Sequence, residues 1–306
     1  MSSNNIHDEW LSLLEISGPF MAPPVLNDTF PQGLDLLDPS KRKRLRQTYE
    51  EWREALDSED PEFIQLHRAW IKEVISNCLG FDEDGKGAHL KFGSSIPEAL
   101  TAKIPEQGVT LAPEYVLVDE LHDNKPLLLI QSYSSNADLH TAMSIDGWSA
   151  SPADRMVHLC RLTGCRLGLL TNGERWMLVD APVGTVTTFA SWYARLWTQE
   201  PITLQAFVHL LGIRRFFVAA GEQIPALIDK SLQHQDEVTI ALGEQVQRAV
   251  EVLIQSLDRA DQDRNRELLK DVTPAELFEA GLTVMMRLVF LLSAEERGLL
   301  LMGDEC

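Results

Sequence analysis

The sequence is short of positive charge. Against 46 Asp and Glu it sets 27 Lys and Arg, a formal net charge of −19 over 306 residues. Affinity for DNA is dominated by contacts to phosphates, so so acidic a chain is a poor autonomous binder of duplex. If it works on DNA, something else must supply most of the grip. Cysteine is scarce too. Cys78, Cys160, Cys165 and Cys306 form no Cys-x-x-Cys pair, which predicts reduced thiols in a cytoplasmic protein. No uninterrupted apolar run approaches the ~20 residues that span a bilayer. The start, Met1 to Trp10, lacks the basic opening and apolar centre of a signal peptide. The expectation is therefore no membrane partner. A Gly-x-Gly-x-x-Gly loop, a Walker loop, internal repeats and low-complexity segments are all missing.

What is present is an ordinary globular composition, 44% apolar and 24% charged, with room for two modest domains. The chain is organised around Pro113–Val179. Pro113 to Asp119 is a β-rich run ending in a carboxylate, and His122-Asp123-Asn124-Lys125 makes a polar turn. Leu127 to Tyr133 is a second apolar run with a polar exit. Pro152 to Leu162 has the pattern of an amphipathic helix, and Arg166 to Thr171 that of a buried strand. Asn172-Gly173, whose residues tolerate positive φ, predicts a hairpin into Trp176-Met177-Leu178-Val179.

Upstream, residues 7–17 read as a short helix, and Phe20 to Leu37 as an apolar, Pro/Gly-punctuated arm packed on a surface. Asp38-Pro39-Ser40 opens the next helix, with Asp38 or Ser40 as N-cap. Pro61 to Leu79 is a helix with Pro61 at its first position and a stripe of Phe63, Leu66, Trp70, Val74 and Ile75. Gln107 to Leu111 reads as a first strand. Downstream, Val186 to Phe189 reads as an edge strand and Leu204 to Leu211 as a helix. From Glu222 the character is all-helical. Asp236 to Leu257 is one helix, Asp258 to Arg266 a charged joint, and Pro274 to Arg297 a last helix capped by Thr273 and Glu276 and stopped at Gly298. That helix is apolar nearly all round, at Leu282, Met285, Met286, Leu288, Val289, Phe290, Leu291 and Leu292, which predicts burial.

Helix, three strands, helix, strand, with an acid on one strand and a polar exit on the next, resembles the core of the PD-(D/E)XK nucleases. Those enzymes hold Mg²⁺ on an Asp and on the Glu of a Glu-x-Lys, whose Lys helps activate water. Laid on this chain, the acid falls on Asp119 or Glu114, and Glu-x-Lys on Gln131-Ser132-Tyr133. A neutral amide is a weak Mg²⁺ ligand and a phenol does not replace an ammonium. A degenerate fold kept for position and shape is the favoured reading. An endonuclease with a rearranged site on Glu114, Asp119 and Glu73 is an alternative, Glu73 being the best-placed acid on the first helix.

Lys41-Arg42-Lys43-Arg44, with Arg46, is the densest basic run. It covers a full helical turn, so it cannot all face one groove. It is read either as a solvated helix start or as DNA-contact residues. Its place near a helix N-terminus, where the macrodipole disfavours positive charge, leans toward a partner. His158, Cys160 and Cys165 do not read as a metal site, since His158 and Cys160 face different sides of a helix. Ser132, Ser134 and Ser135 lack a His–Asp pair. Trp192, Tyr193 and Trp197 read as core or interface, because only Arg195 interleaves them.

Three phrases carry a wider resemblance. They are Ser17-Gly18-Pro19-Phe20 with Pro31-Gln32-Gly33-Leu34, then Leu170-Thr171-Asn172-Gly173-Glu174-Arg175-Trp176, then Met286 to Leu300. Together they resemble type IIG restriction–modification proteins and the related adenine methyltransferases of anti-phage systems such as DISARM. The resemblance implies an α+β fold: an N-terminal helical arm over 1–60, a PD-(D/E)XK-like domain over 61–220, and an all-helical connector over 221–306 leading to a methyltransferase domain. It implies S-adenosylmethionine as cofactor of the parent protein, double-stranded DNA as its partner and defence-system subunits as further partners. The family's Asn-Pro-Pro-Tyr motif is absent from this sequence, so the expectation is a non-catalytic segment that holds no cofactor or metal of its own. The competing class is an acidic protein-interaction module.

Overall fold

The computed structural model of the chain describes residues 6–296. They fall into two compact units that meet in sequence between Leu232 and Gln233.

The first unit is built on a seven-stranded sheet. Its strands are β1 (Glu15–Ser17), β2 (Leu90–Phe92), β5 (Tyr115–Asp119), β6 (Lys125–Ser132), β9 (Leu167–Thr171), β10 (Arg175–Asp180) and β11 (Thr188–Tyr193). The order is β1-β11-β10-β9-β6-β5-β2. Every neighbouring pair is antiparallel except β6 and β9, which run parallel, from Leu129 beside Gly168 to Ser132 beside Thr171. A parallel pair needs a crossover, and α5 (Pro152–Thr163) provides it. Two ribbons stand off the sheet: β3 (Ala102–Ile104) with β4 (Val109–Leu111), and β7 (Met143–Ile145) with β8 (Trp148–Ala150).

Both faces of this sheet are covered, which is why its central strands read as unbroken apolar runs. Alternate residues serve two cores. Leu117, Leu128, Ile130, Leu169, Trp176 and Leu178 face one. Val116, Val118, Leu129, Leu170, Met177 and Val179 face the other, together with Ala153, Met156 and Leu159 of α5. Gly168 is where α5 comes closest: a Cβ there would lie 2.4 Å from Cγ of Met156. The first core is completed by α3 (Pro39–Asp57), α4 (Phe63–Glu73) and α7 (Pro201–Leu211).

Several expectations are corrected here. Residues 7–17 do not form one helix. Only Asp8–Leu11 (α1) is helical, and Glu15–Ser17 pairs with Ser191, Ala190 and Phe189 of β11, so sheet hydrogen bonds override the local pattern. The stretch from Phe20 is not a surface arm. Phe20, Met21 and Phe30, with Val25 and Leu26 from α2 (Pro23–Thr29), lie in the first core, within the same unit as the sheet. α4 starts at Phe63 rather than Pro61 and continues into a wide π turn, Val74–Cys78, closed by Leu79 N–H donating to Val74 O at 2.9 Å. Residues 109–111 belong to the β3–β4 ribbon, and the main-sheet strand that precedes β5 in the chain is β2. β11 is interior, paired by β10 on one side and β1 on the other. Asp38 is the N-cap of α3, accepting from the N–H groups of Ser40 and Lys41.

The second unit is helical. From Gln233 it consists of the continuation of α9 (Ile224–Asp263) and of α10 (Pro274–Glu296). The charged joint is mostly helix: α9 runs to Asp263, and the buried carboxylate of Asp261 accepts from Leu268 and Leu269 N–H at 2.8 and 3.0 Å. The Thr273–Glu276 capping box forms in both directions. Gly281 faces Val250, Leu253 and Ile254 of α9. α10 is not buried all round as its composition predicts: Met286 is 54% exposed and Phe290 71%. By length and composition alone, Pro274–Glu295 is also a helix apolar enough to cross a membrane, so the sequence does contain one such stretch. The expected stop at Arg297–Gly298 lies outside the described residues.

Candidate functional site

The polar end of β6 meets the start of β5 because the intervening turn is tight. Asp123 and Asn124 take φ of 54° and 52°, which lets the chain reverse and sets the register of Tyr115 opposite Ile130. That register brings Glu114 to the exit of β6. Its N–H donates to Ile130 O at 3.0 Å, and its Oε2 accepts from Ser132 N–H at 3.1 Å and from the Ser132 hydroxyl. Gln131 and Tyr133 flank Ser132. Tyr133 N–H donates to Thr171 O at 2.8 Å, tying this exit to the end of β9. Burial pushes the Tyr133 phenol up to about 12, and burial beside Glu114 does the same to Tyr115.

Asp119, the other candidate acid, sits at the opposite end of β5, opposite Lys125. Its carboxylate faces His122 Nδ1 at 2.7 Å and accepts from Leu121 N–H at 3.1 Å. Glu73 is elsewhere again: it is buried, and its Oε2 accepts from Arg44 and from Asn77, each at 2.7 Å. The three carboxylates of the rearranged site are thus dispersed, each with its own partners. Among the described residues no group of three or more His, Cys, Asp or Glu side chains has the arrangement to hold a metal ion. At the β6 exit the donor set is one carboxylate, already engaged by Ser132, beside an amide and a phenol. It does not fit Mg²⁺.

α4 contributes a residue that the sequence reading passed over. His67 Nε2 contacts Tyr133 O at 2.9 Å, and Trp52 Nε1 donates to His67 Nδ1 at 3.0 Å. Burial lowers the His67 pKa. The same ring packs on the Asn172–Gly173 turn: a Cβ at Gly173 would lie 2.9 Å from both His67 and Trp52. The turn's other groups are also structural. Asn172 Oδ1 accepts from Glu174 and Arg175 N–H at 3.1 and 2.7 Å, and its Nδ2 donates to Ala137 O at 2.9 Å. Trp70 and Trp176 both donate to Gly173 O. No simple spacing rule pairs His67 with residues more than a hundred positions away.

The basic run divides by partner. Lys41 pairs with Glu83, Arg44 with Glu73 and Arg46 with Glu50. Arg42 and Lys43 form no ion pair with any described residue. Arg155 is 5% exposed, holds the carbonyls of Ile145 and Trp148, and lies 4.8 Å from the Trp148 ring centroid, so it clamps the β7–β8 ribbon to α5. The Cys160 and Cys165 thiols are pushed up by burial, Cys165 to about 12, and His158 packs edge-on against Trp148. Ser134 donates to Asn136. Trp192 and Trp197 are buried, while Tyr193 lies beneath the Arg195 guanidinium at 4.4 Å.

Fold and site define a mixed helix–sheet protein with a helical extension, whose polar strand exit lacks the donors of a metal centre. A family model described as "MmeI, N-terminal domain" matches residues 94–256. That is more than half of the chain, and the chain belongs to this family. Membership supports a segment from the N-terminal region of a restriction–modification enzyme. No curated protein and no solved structure matches the chain.

Proposed function

We propose that the chain is a catalytically silent, nuclease-like segment of an adenine-N6 DNA methyltransferase serving restriction–modification or anti-phage defence. In this reading residues 63–171 are a degenerate PD-(D/E)XK core. The order α4, β2, β5, β6, α5, β9, with three antiparallel strands followed by a parallel one, supports it. The observation that carries the loss of activity is the β6 exit. Glu114 stands where a metal-holding acid belongs, while Gln131 and Tyr133 occupy the positions of Glu and Lys. The segment then scaffolds the catalytic half of the parent polypeptide, helps enclose double-stranded DNA and docks defence-system subunits in the cytoplasm. S-adenosylmethionine belongs to the parent, not to this segment.

Two assays test this. Incubated with Mg²⁺ or Mn²⁺ and supercoiled plasmid, the chain is expected to leave the DNA intact; cleavage abolished by Glu114→Ala overturns the silent-site reading. The native polypeptide, isolated from its own cells, is expected to transfer methyl groups from S-adenosylmethionine to adenine in DNA. Failure of a well-folded preparation to do so overturns the methyltransferase reading.

A further inference from the structure

Residues 82–87, on the way from the π turn to β2, cross between two cavities. One, of about 1100 Å³, reaches from the start of α3 and Leu79 to Ile213 and Arg215. The other, of about 640 Å³, lies beside β2 and α4. Five residues line both: Arg44, Glu73, Asn77, Asp82 and Glu83. The first three are the polar cluster around the buried Glu73 carboxylate. The last two belong to the crossing segment, which is therefore the wall between the cavities.

Both ends of the segment are fastened. Phe81 is buried and its N–H donates to Ile75 O at 3.2 Å. At the other end Leu90 is buried and His89 O accepts from Val118 N–H at 2.8 Å. Between them the bonds are mostly local: Gly85 N–H to Asp82 O, Gly87 N–H to Asp82 Oδ1, and Lys86 to Asp84. Among the described residues, a single hydrogen-bonded ion pair ties the stretch from Glu83 to Lys86 to another element. It joins Glu83 to Lys41 of α3. The Glu83 carboxylate has room to make it because Gly80 carries no side chain: a Cβ there would lie 3.2 Å from Glu83 Oε1. Both partners are half-exposed, and an exposed pair of this kind favours the closed state by a factor of only about five.

We propose that residues 82–87 are a strap, latched by the Lys41–Glu83 pair, whose release joins the two cavities into one cleft over Glu73, Asn77 and Cys78. Opening takes nothing out of the core, because no residue from Asp82 to Gly87 is buried. The turn is free to re-form: Gly85 and Gly87 hold φ of 67° and 66°, and a Cβ at Gly85 would meet nothing. Cys78 lines the larger cavity together with Lys41, Asp82 and Glu83, so its thiol reports the opening. Salt weakens the latch by screening it. The strap lies apart from the β6 exit, and the inference holds whether or not the parent protein is a methyltransferase.

The test uses the full chain at low salt and follows two rates by mass spectrometry: tryptic cleavage after Lys86 and iodoacetamide alkylation of Cys78. Lys41→Ala is expected to raise both about three- to fivefold, while Lys41→Arg, which keeps the pair, stays at the parent rate. Lys41 is one of the charges acting on the Cys78 thiol, and losing a cation by itself slows alkylation. A faster reaction in Lys41→Ala therefore reports uncovering of the thiol. Salt at about 0.5 M should speed both reactions in the parent chain and leave Lys41→Ala unchanged. The proposal is overturned if Lys41→Ala leaves cleavage at the parent rate, or speeds cleavage without speeding alkylation. It is also overturned if Arg53→Ala, which breaks the exposed Arg53–Asp57 pair on the same helix, has the same effect, or if both rates follow global unfolding in urea.

Discussion

The indole N–H of Trp52 points at Nδ1 of His67 over 3.0 Å. An indole only donates, so Nδ1 must accept, and the ring proton resides on Nε2, which donates to Tyr133 O at 2.9 Å. Both nitrogens of the neutral ring are used. Protonation of Nδ1 would set a donor against a donor, in the same sense as the burial that lowers the His67 pKa.

A pH dependence follows. The folded-state pKa lies below the ordinary value of 6.5, so the unfolded chain binds the extra proton first. The stability from neutral His67 is complete above about pH 6.5 and is lost as pH falls below it, with a slope of up to about 1.4 kcal/mol per pH unit. His7, buried and bonded to Trp10 in the same manner, has its pKa lowered by burial and adds to the trend. Urea denaturation between pH 7.5 and 5.5 is expected to show a falling midpoint, with a shallower fall in His67→Gln. An equal slope in that variant would remove His67 as the cause.

Gly173 is held by shape. Its φ of 90° disfavours any side chain, and the space for a Cβ is taken by Trp52 and His67. Gly173→Ala should cost roughly 2–3 kcal/mol, measurable as a lower thermal midpoint. Gly184→Ala, also at positive φ but facing open space, should cost less.

Arg166 grips the buried Asp180 with two bonds, at 2.6 and 2.8 Å, and reaches Asp229 with two more. Removing Asp180 takes the buried partner from Arg166 and leaves its guanidinium only the exposed Asp229. Asp180→Ala should cost about 3 kcal/mol, and Asp229→Ala, whose carboxylate is exposed, under about 1 kcal/mol. Equal losses would contradict the geometry.

The β6 exit lacks a second carboxylate. Gln131→Glu should give the chain measurable affinity for Mn²⁺ by calorimetry, and adding Glu114→Ala should abolish it. A metal affinity unchanged by Gln131→Glu would mean that the two side chains do not converge.

Phe290 and Met286 are exposed on α10. Phe290→Ser with Met286→Ser should leave unfolding free energy within about 0.5 kcal/mol of the parent chain and reduce self-association on gel filtration. A large loss of stability would instead mean that the helix packs through that face.

Much of this was open to reading in the sequence, and the limits have physical causes. Strands β5, β6, β9 and β10 are announced by their apolar runs because both faces are buried. The Asn172–Gly173 turn, the Asp38 cap, and the Thr273–Glu276 box are announced because they depend on residues close in the chain. β1 was hidden. Its three residues have no strand pattern of their own and exist as a strand only because β11 offers them an edge. α10 misled for the opposite reason: composition states that a face is apolar, not what covers it.

The sequence by itself determined the donors present at the candidate site: a carboxylate on one strand, an amide and a phenol on the next, and no ammonium. Only the tertiary structure decided which carboxylate belongs to it. Asp119 and Glu114 bracket the same strand, and the tight turn at Asp123–Asn124 fixes a register that carries Glu114 to Ser132 and leaves Asp119 beside His122.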